Sequence, residues 1–197
     1  MKILRLIAGI CLFFMVVYPD FAVSEELGLY HKNVLNIANE CRSEIVDLFN
    51  SYIGSGKLKV NQIFDTFYIP IPNTYPQKYH TQYDMVTDEE LRKILDNCLE
   101  KDKNFIFVVA VDKNGYLPTH NTKYSQKLTG NPEIDILKNR TKRIFNDRTG
   151  LAAARNTEPY LLQSYNRDTG EKMYDLSVPI FINNKHWGAL RIGYKEK

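Results

Sequence analysis

Strands that face water on one side place polar residues there, so polar and charged side chains set inside the most apolar stretches of a chain are where binding chemistry is sought first. In residues 172 to 182, Tyr174, Leu176, Val178, Ile180 and Ile182 share one face by alternation, and Asp175 and Ser177 share the other. In residues 186 to 194, alternation groups Trp187, Ala189, Arg191 and Gly193 opposite His186, Gly188, Leu190, Ile192 and Tyr194. In residues 160 to 166, Leu161, Gln163 and Tyr165 alternate away from Leu162 and Ser164. If Gln163, Tyr165, Asp175, Ser177, Trp187 and Arg191 line one side of a sheet, they form a half-apolar cavity with a few oriented polar groups, as a small-molecule site requires. The plainer alternative is a cross-strand Asp175–Arg191 ion pair with Trp187 in the core.

A second group lies in residues 139 to 155, where Arg140, Lys142, Arg143, Arg148 and Arg155 surround Asp147. A guanidinium grips a carboxylate through two parallel hydrogen bonds. Arg143, Asp147 and Arg155 are carried as ligand candidates, and Arg140 and Lys142 are read as a solvated helix face. His120, which follows Pro118 and Thr119, either fixes a loop by a hydrogen bond or serves as a ligand contact or pH-sensitive group. Asp112 and Gly115 are explained by turn geometry. The chain has no C-x-x-C-H, so covalent c-type haem attachment is excluded, and a non-covalent haem would have to use His120 or His186. It has no H-E-x-x-H, paired-cysteine metal spacing, phosphate loop, G-x-S-x-G or acidic calcium loop. No catalytic residues, metal site or cofactor are assigned, and an enzyme is not expected.

The elements that must position these residues follow from periodicity. Residues 25 to 56 hold one long amphipathic helix, with Leu27, Tyr30, Val34, Ile37, Cys41, Ile45, Leu48 and Phe49 spaced by threes and fours and Gly54-Ser55-Gly56 at its end. Its stripe serves as intramolecular core, as a dimer seam, or as both. Pro70, Pro72 and Pro76 make residues 57 to 84 an extended loop. Thr87 starts a second helix, ending near Lys101. Phe105 to Val111 is an unbroken apolar run entering a hairpin at Asp112-Lys113-Asn114-Gly115. Gly130-Asn131-Pro132 breaks the next connection, and a short helix over 139 to 147 ends at Gly150. Strands 160 to 166, 172 to 182 and 186 to 194 follow, turned by Asp168-Thr169-Gly170 and Asn183-Asn184. The sum is an α+β chain: an antiparallel sheet of about five strands flanked by helices.

Several of these stretches occur together in one order. They are PIPNTYPQKYHTQYD (70 to 84), DKNGYLPTHN (112 to 121), NRTKRIFNDRTG (139 to 150), LLQSYNRDTGE (161 to 171) and HWGALRIGY (186 to 194). From Gln62 to Tyr194 the chain resembles the PAS/Cache-like sensor domains of bacterial methyl-accepting chemotaxis proteins. The resemblance implies a long N-terminal helix across one sheet face and a ligand pocket between the sheet and the helix-loop region of residues 139 to 155. It implies a sensor in signal transduction. Such receptors continue into a signalling region, and this chain stops three residues after its last strand, so it is expected to act through a separate partner, a membrane chemoreceptor being the candidate. The alternative function is a protein-interaction or dimerisation module, pairing with a second copy, with no small-molecule ligand.

Composition bounds the remainder. At 44% hydrophobic and 25% charged, with 13 Tyr and 10 Phe, the chain is an ordinary globular protein, and a formal charge of +3 gives no footprint for nucleic acid. Residues 1 to 24 read as a signal peptide: Lys2 and Arg5, then the apolar stretch Leu6 to Tyr18, then Ala22-Val23-Ser24 as the cleavage pattern. As a helix that apolar stretch reaches about 20 Å, short of the hydrocarbon core of a bilayer. The expectation is cleavage and a periplasmic protein, with an uncleaved leader anchoring it to the inner membrane as the alternative. Residues 57 to 197, together with the long helix, are expected to form one sensor domain. An oxidising compartment permits a disulfide between Cys41 and Cys98, and two buried, inert thiols are the alternative. The arginines favour a carboxylate as the small-molecule ligand.

Overall fold

The structure, a computed structural model, describes residues 27–166 and 172–195. The expected signal peptide and the Asp168-Thr169-Gly170 turn lie outside the described residues. The amphipathic stripe forms helix α1 (Leu29–Gly54), which buries Val34, Ala38, Cys41, Ile45, Phe49 and Tyr52. Gly56, at φ 73°, ends it, and the Leu58 N–H donates back to the Tyr52 carbonyl. A single turn α2 (Val60–Ile63) and a small antiparallel pair, β1 (Ile69–Ile71) and β2 (Lys78–His80), occupy the proline-rich stretch expected to be a loop. Proline is tolerated there because a two-stranded ribbon is all edge.

Helix α3 (Asp84–Glu100) begins three residues before the expected Thr87. The Asp84 carboxylate accepts from the Thr81 N–H at 3.2 Å, so Asp84 organises the entry and Thr87 lies inside, its hydroxyl donating to the Tyr83 carbonyl at 3.0 Å. The apolar run becomes β3 (Phe105–Asp112), and the turn at Asp112 delivers β4 (Tyr116–Leu117). At Gly115 φ is 82°, and a Cβ would meet the Phe145 carbonyl oxygen at 2.3 Å, so glycine is required twice over. The partner of β4 is not β3 but β5 (Arg143–Ile144).

The helices of the following region fall elsewhere than expected. Residues 139 to 147 form no helix: Thr141 and Lys142 make a turn, with Lys142 at φ 59°, and lead into the short strand β5 (Arg143–Ile144). Helix α4 (Pro132–Lys138) lies upstream and α5 (Arg148–Arg155) downstream. Asn131 and Pro132, read as breakers, are an N-cap and a first-turn proline, with the Asn131 side chain accepting from Glu133 N–H at 3.0 Å. Asp147 does the same for α5, accepting from Gly150 N–H at 3.0 Å, which puts Gly150 inside the helix it was expected to end.

Strands β6 (Leu161–Asn166), β7 (Lys172–Ile182) and β8 (Lys185–Tyr194) complete an antiparallel sheet in the order β3-β8-β7-β6. Asn183 and Asn184 carry the positive φ of a two-residue hairpin turn. Four strands in this sheet, with the two small pairs beside it, stand close to the expected five. One face buries Tyr174, Leu176, Val178, Ile180, Leu190 and Ile192 against α1 and α3. The long helix crosses one face of the sheet and a helix-loop layer covers the other, an α+β arrangement of the kind expected. Cys41 of α1 and Cys98 of α3 are joined by a disulfide, Cα atoms 6.2 Å apart, both side chains fully buried. Among the described residues no helix is long and apolar enough to cross a membrane.

Candidate functional site

The sheet face turned away from α1 carries a cavity of about 390 Å³, within the range of small-molecule pockets. Its floor is built by alternation in β3, which aims Phe107, Val109 and Val111 to this side, and its far wall is Leu117 of β4, Phe145 and the first turn of α5.

Arg191, near the middle of β8, and Asp175 of β7 are diagonal neighbours on this face, the register pairing Ser177 with Arg191 and Asp175 with Gly193. The guanidinium donates through Nη2 at 2.6 Å and Nε at 3.3 Å to the two oxygens of Asp175, which is fully buried. Burial alone disfavours a charged guanidinium, but the carboxylate beside it outweighs that and holds Arg191 charged above its ordinary range. Arg191 also lines the cavity. The two readings of this pair therefore coincide in one residue: Arg191 is both an ion-pair partner and a wall, whereas Asp175 lies behind it.

His120 lines the cavity from the loop after β4 and is 4% exposed. Its Nδ1 accepts from the Asn121 N–H at 2.8 Å, which assigns the proton to Nε2, and its ring lies 4.7 Å from that of Tyr124. Burial, then the positive charges of Arg140, Lys123 and Arg143, push its pKa down to about 3. It is neutral at pH 7. In the unfolded chain it takes its proton near 6.5, so between pH 6.5 and 3 the unfolded state binds more protons and acid favours unfolding. We expect His120 to withdraw about 1 kcal/mol of stability between pH 6.5 and 5.5. Urea titrations of the wild type and His120→Gln at the two pH values measure this, and equal losses in both proteins would count against it.

The other candidates are placed as follows. Tyr165 and Asp147 line the cavity, Asp147 while capping α5. Gln163 does not line it: its amide donates to the Thr149 carbonyl at 3.0 Å and ties β6 to α5. Ser177 is fully buried, its hydroxyl 3.5 Å from the Leu161 carbonyl. Arg143 does not line the cavity: its guanidinium carbon lies 5.0 Å from the Phe145 ring centre and Nη1 donates to the Ile136 carbonyl at 3.3 Å. Arg155 donates to the Lys113 carbonyl at 3.4 Å near the surface. Trp187 is on the opposite face. Two residues, His186 and Trp187, stand across from Phe181, and this bulge turns the indole against Phe49 and Tyr83, where Nε1 donates to the Ile63 carbonyl at 2.9 Å.

Sequence reasoning passed over Phe107, Phe145 and Arg140. Phe107 was legible from alternation with Val109 and Val111. Arg140 was set aside as a solvated residue because a helix was expected at 139 to 147; in the non-helical segment found there it lines the cavity, its guanidinium carbon 5.3 Å from the Phe145 ring centre. Gly193 controls Phe107 in turn. A Cβ there would stand 2.2 Å from Phe107 Cε1 and 2.4 Å from Cζ. We expect Gly193→Ala to force the Phe107 ring off β8 and into the cavity, at a cost of about 1–3 kcal/mol. A crystal structure of the variant checks it, and an unmoved ring would refute it.

No family model and no curated protein matches the chain. Among solved structures it is similar to an extracellular ligand binding receptor from Desulfohalobium retbaense, at 13% identity and TM-score 0.39, over 86% of this chain and 26% of that one. It is likewise similar to the V. cholerae histidine kinase DctB sensor domain, at 11% identity and TM-score 0.37, over 84% and 57%. A third is the sensory domain of the Campylobacter jejuni chemoreceptor Tlp3 with isoleucine bound, at 15% identity and TM-score 0.37, over 83% and 58%. The chain thus spans between about a quarter and three fifths of the length of these structures. At such values the architecture rests on the sheet order and helix packing described above.

Proposed function

We propose that this chain is a periplasmic small-molecule-binding sensor domain of chemotaxis-receptor type, exported by the leader in residues 1 to 24 and acting in signal transduction through a separate partner. The observation that carries the reading is the cavity itself. It has apolar walls from Phe107, Val109, Val111 and Leu117, and a few fixed polar groups, Arg140, Arg191, neutral His120 and Tyr165, converge on it. Binding needs this combination, with apolar area for affinity and few polar groups for orientation. Arg191 is already charge-balanced by Asp175, and Asp147 is engaged at the start of α5. Arg140 and Arg191 both bring positive charge to the cavity wall, and a small carboxylate with an apolar body is the ligand class that fits.

The test is a thermal-shift screen of residues 25 to 197 against organic acids, amino acids, amines and purines. A ligand at a hundred times its Kd adds about 2.7 kcal/mol, roughly 5–10 °C for a domain of this size. A carboxylate shift that disappears in Arg140→Met supports the proposal. Silence from every class removes it.

A second reading, an interaction module without a ligand, draws on one observation. Leu128, Ile136 and Leu137, beside and on α4, are exposed at 46%, 38% and 65%. A stable dimer in gel filtration, dissociated by Leu137→Asp and accompanied by no ligand shift, would favour it.

A further inference from the structure

Lys78 is a lysine with almost no access to water, 4% exposed on the short strand β2. A buried ammonium persists only where its hydrogens are received. Here the acceptors are three oxygens of one distant stretch of chain: the Asn139 side-chain oxygen at 2.5 Å, the Thr141 carbonyl at 2.6 Å and the Asn139 carbonyl at 3.2 Å. Asn139 and Thr141 bracket Arg140. The segment belongs to no helix and to no strand until Arg143. Its other backbone ties include the Arg140 N–H to the Tyr124 carbonyl at 2.7 Å, the Lys142 N–H to the Leu117 carbonyl at 2.8 Å, and the Tyr79 N–H to the Lys142 carbonyl at 2.8 Å. From its side chains, Asn139 Nδ2 donates to the Gln126 carbonyl at 2.5 Å, and Lys142 Nζ pairs with the Asp84 carboxylate at 2.8 Å.

We infer that Lys78 is a positioning residue for the candidate ligand site: its ammonium clamps the backbone on both sides of Arg140 and so aims that guanidinium along Phe145 into the cavity. The value of this placement for binding rests on the reading of the cavity as a ligand pocket; the clamp itself stands on the geometry. Lys78 makes no contact with the cavity, so it acts only through Arg140. The charged groups facing it are Arg143 of β5 and Lys142, of like sign, and Asp135 of α4, of opposite sign. Burial first, and then the two cations, pull its pKa down to about 8. A neutral amine keeps two hydrogens and turns a lone pair toward one of the three oxygens, so above pH 8 the clamp loses a bond.

The experiment follows Arg140 by NMR in the protein and in Lys78→Met, a substitution of similar length without charge. Two signals are read: hydrogen exchange of the Arg140 backbone amide, and the Arg140 Nε–Hε resonance, which the Phe145 ring shifts. Losing a hydrogen-bonded charge should speed Arg140 exchange at least about tenfold and move the Nε–Hε resonance toward its random-coil position. The Val178 amide, in the central strand β7, should be unchanged. Unchanged exchange and resonance at Arg140 would overturn the inference. If Lys78→Met fails to fold, the wild type decides. Arg140 exchange, corrected for its intrinsic base dependence, should rise with a midpoint near pH 8, and a flat corrected profile between pH 7 and 9.5 overturns the inference. Acetate, titrated as the simplest carboxylate probe, separates the two claims. An Arg140 signal that responds to Lys78 in a protein insensitive to acetate and to the ligand panel keeps the clamp and removes the pocket reading. Acetate binding of equal affinity in wild type and Lys78→Met removes the clamp's role and keeps the pocket.

Discussion

Asp175→Ala lowers the stability of the protein by roughly 3–5 kcal/mol, the largest loss expected of any substitution on the cavity side of the sheet. The cost does not lie in the attraction itself, since desolvating two charges consumes most of what their pairing returns. It lies in what is left behind. Arg191 is 8% exposed and its guanidinium does not deprotonate, so without Asp175 a buried cation is left without the carboxylate that accepts its hydrogen bonds. The double replacement Asp175→Leu with Arg191→Met removes both charges and is expected to recover most of the loss, because an apolar pair of similar volume suits the same place. Urea unfolding of the two single variants and the double variant measures this. A single-variant loss below about 1 kcal/mol would mean that water reaches the pair, contrary to its burial. The same double variant distinguishes structure from binding, since Arg191 is a cavity wall and its loss should alter ligand preference even where the fold is intact.

Replacing both Cys41 and Cys98 by alanine is expected to cost up to about 4 kcal/mol, by the loop-entropy relation for a crosslink between residues 57 apart. The bond staples α1 to α3 at their mutual contact beneath the sheet, and without it the unfolded chain regains the freedom of that loop. A loss of this size lowers Tm by roughly 8–16 °C. The crosslink is fully buried, so the native protein should resist reductant until it opens and lose the bond once urea unfolds it. Calorimetry of the alanine pair, and of the wild type with and without reductant, tests both statements. A Tm within 2 °C of wild type would show that the helices hold each other by packing alone.

Much of the framework was legible because its signals are local. The α1 stripe, the continuous apolar run of β3, and the alternation along β7 each depend on residues within a few positions of one another, and Asn183-Asn184 and Gly115 announce turns by their tolerance of positive φ. Period-two alternation grouped Asp175 with Ser177 within one strand, and the shared face with Gln163 and Arg191, which alternation left conditional, is set by the register that pairs Gln163 with Asp175 and Ser177 with Arg191. Helix ends were less legible. Asn131-Pro132 has the same residues whether it stops one segment or caps the next, and Asp84 at the start of α3 is held by groups outside the helix, the Thr81 N–H and the Lys142 ammonium.

The sequence by itself determined an antiparallel sheet with one apolar face for a long helix and one face carrying buried polar groups, because side-chain period and turn chemistry are properties of adjacent residues. Tertiary structure alone decided which of those groups meet. A one-residue bulge at His186 and Trp187 moved the indole to the far face. The pairing of β4 with β5 folded residues 139 to 145 over the sheet and brought Arg140 to the cavity. A lysine 61 residues from its acceptor fastened that segment in place. Bulges, pairing partners and burial depend on contacts between residues far apart in the chain, and no local periodicity encodes them.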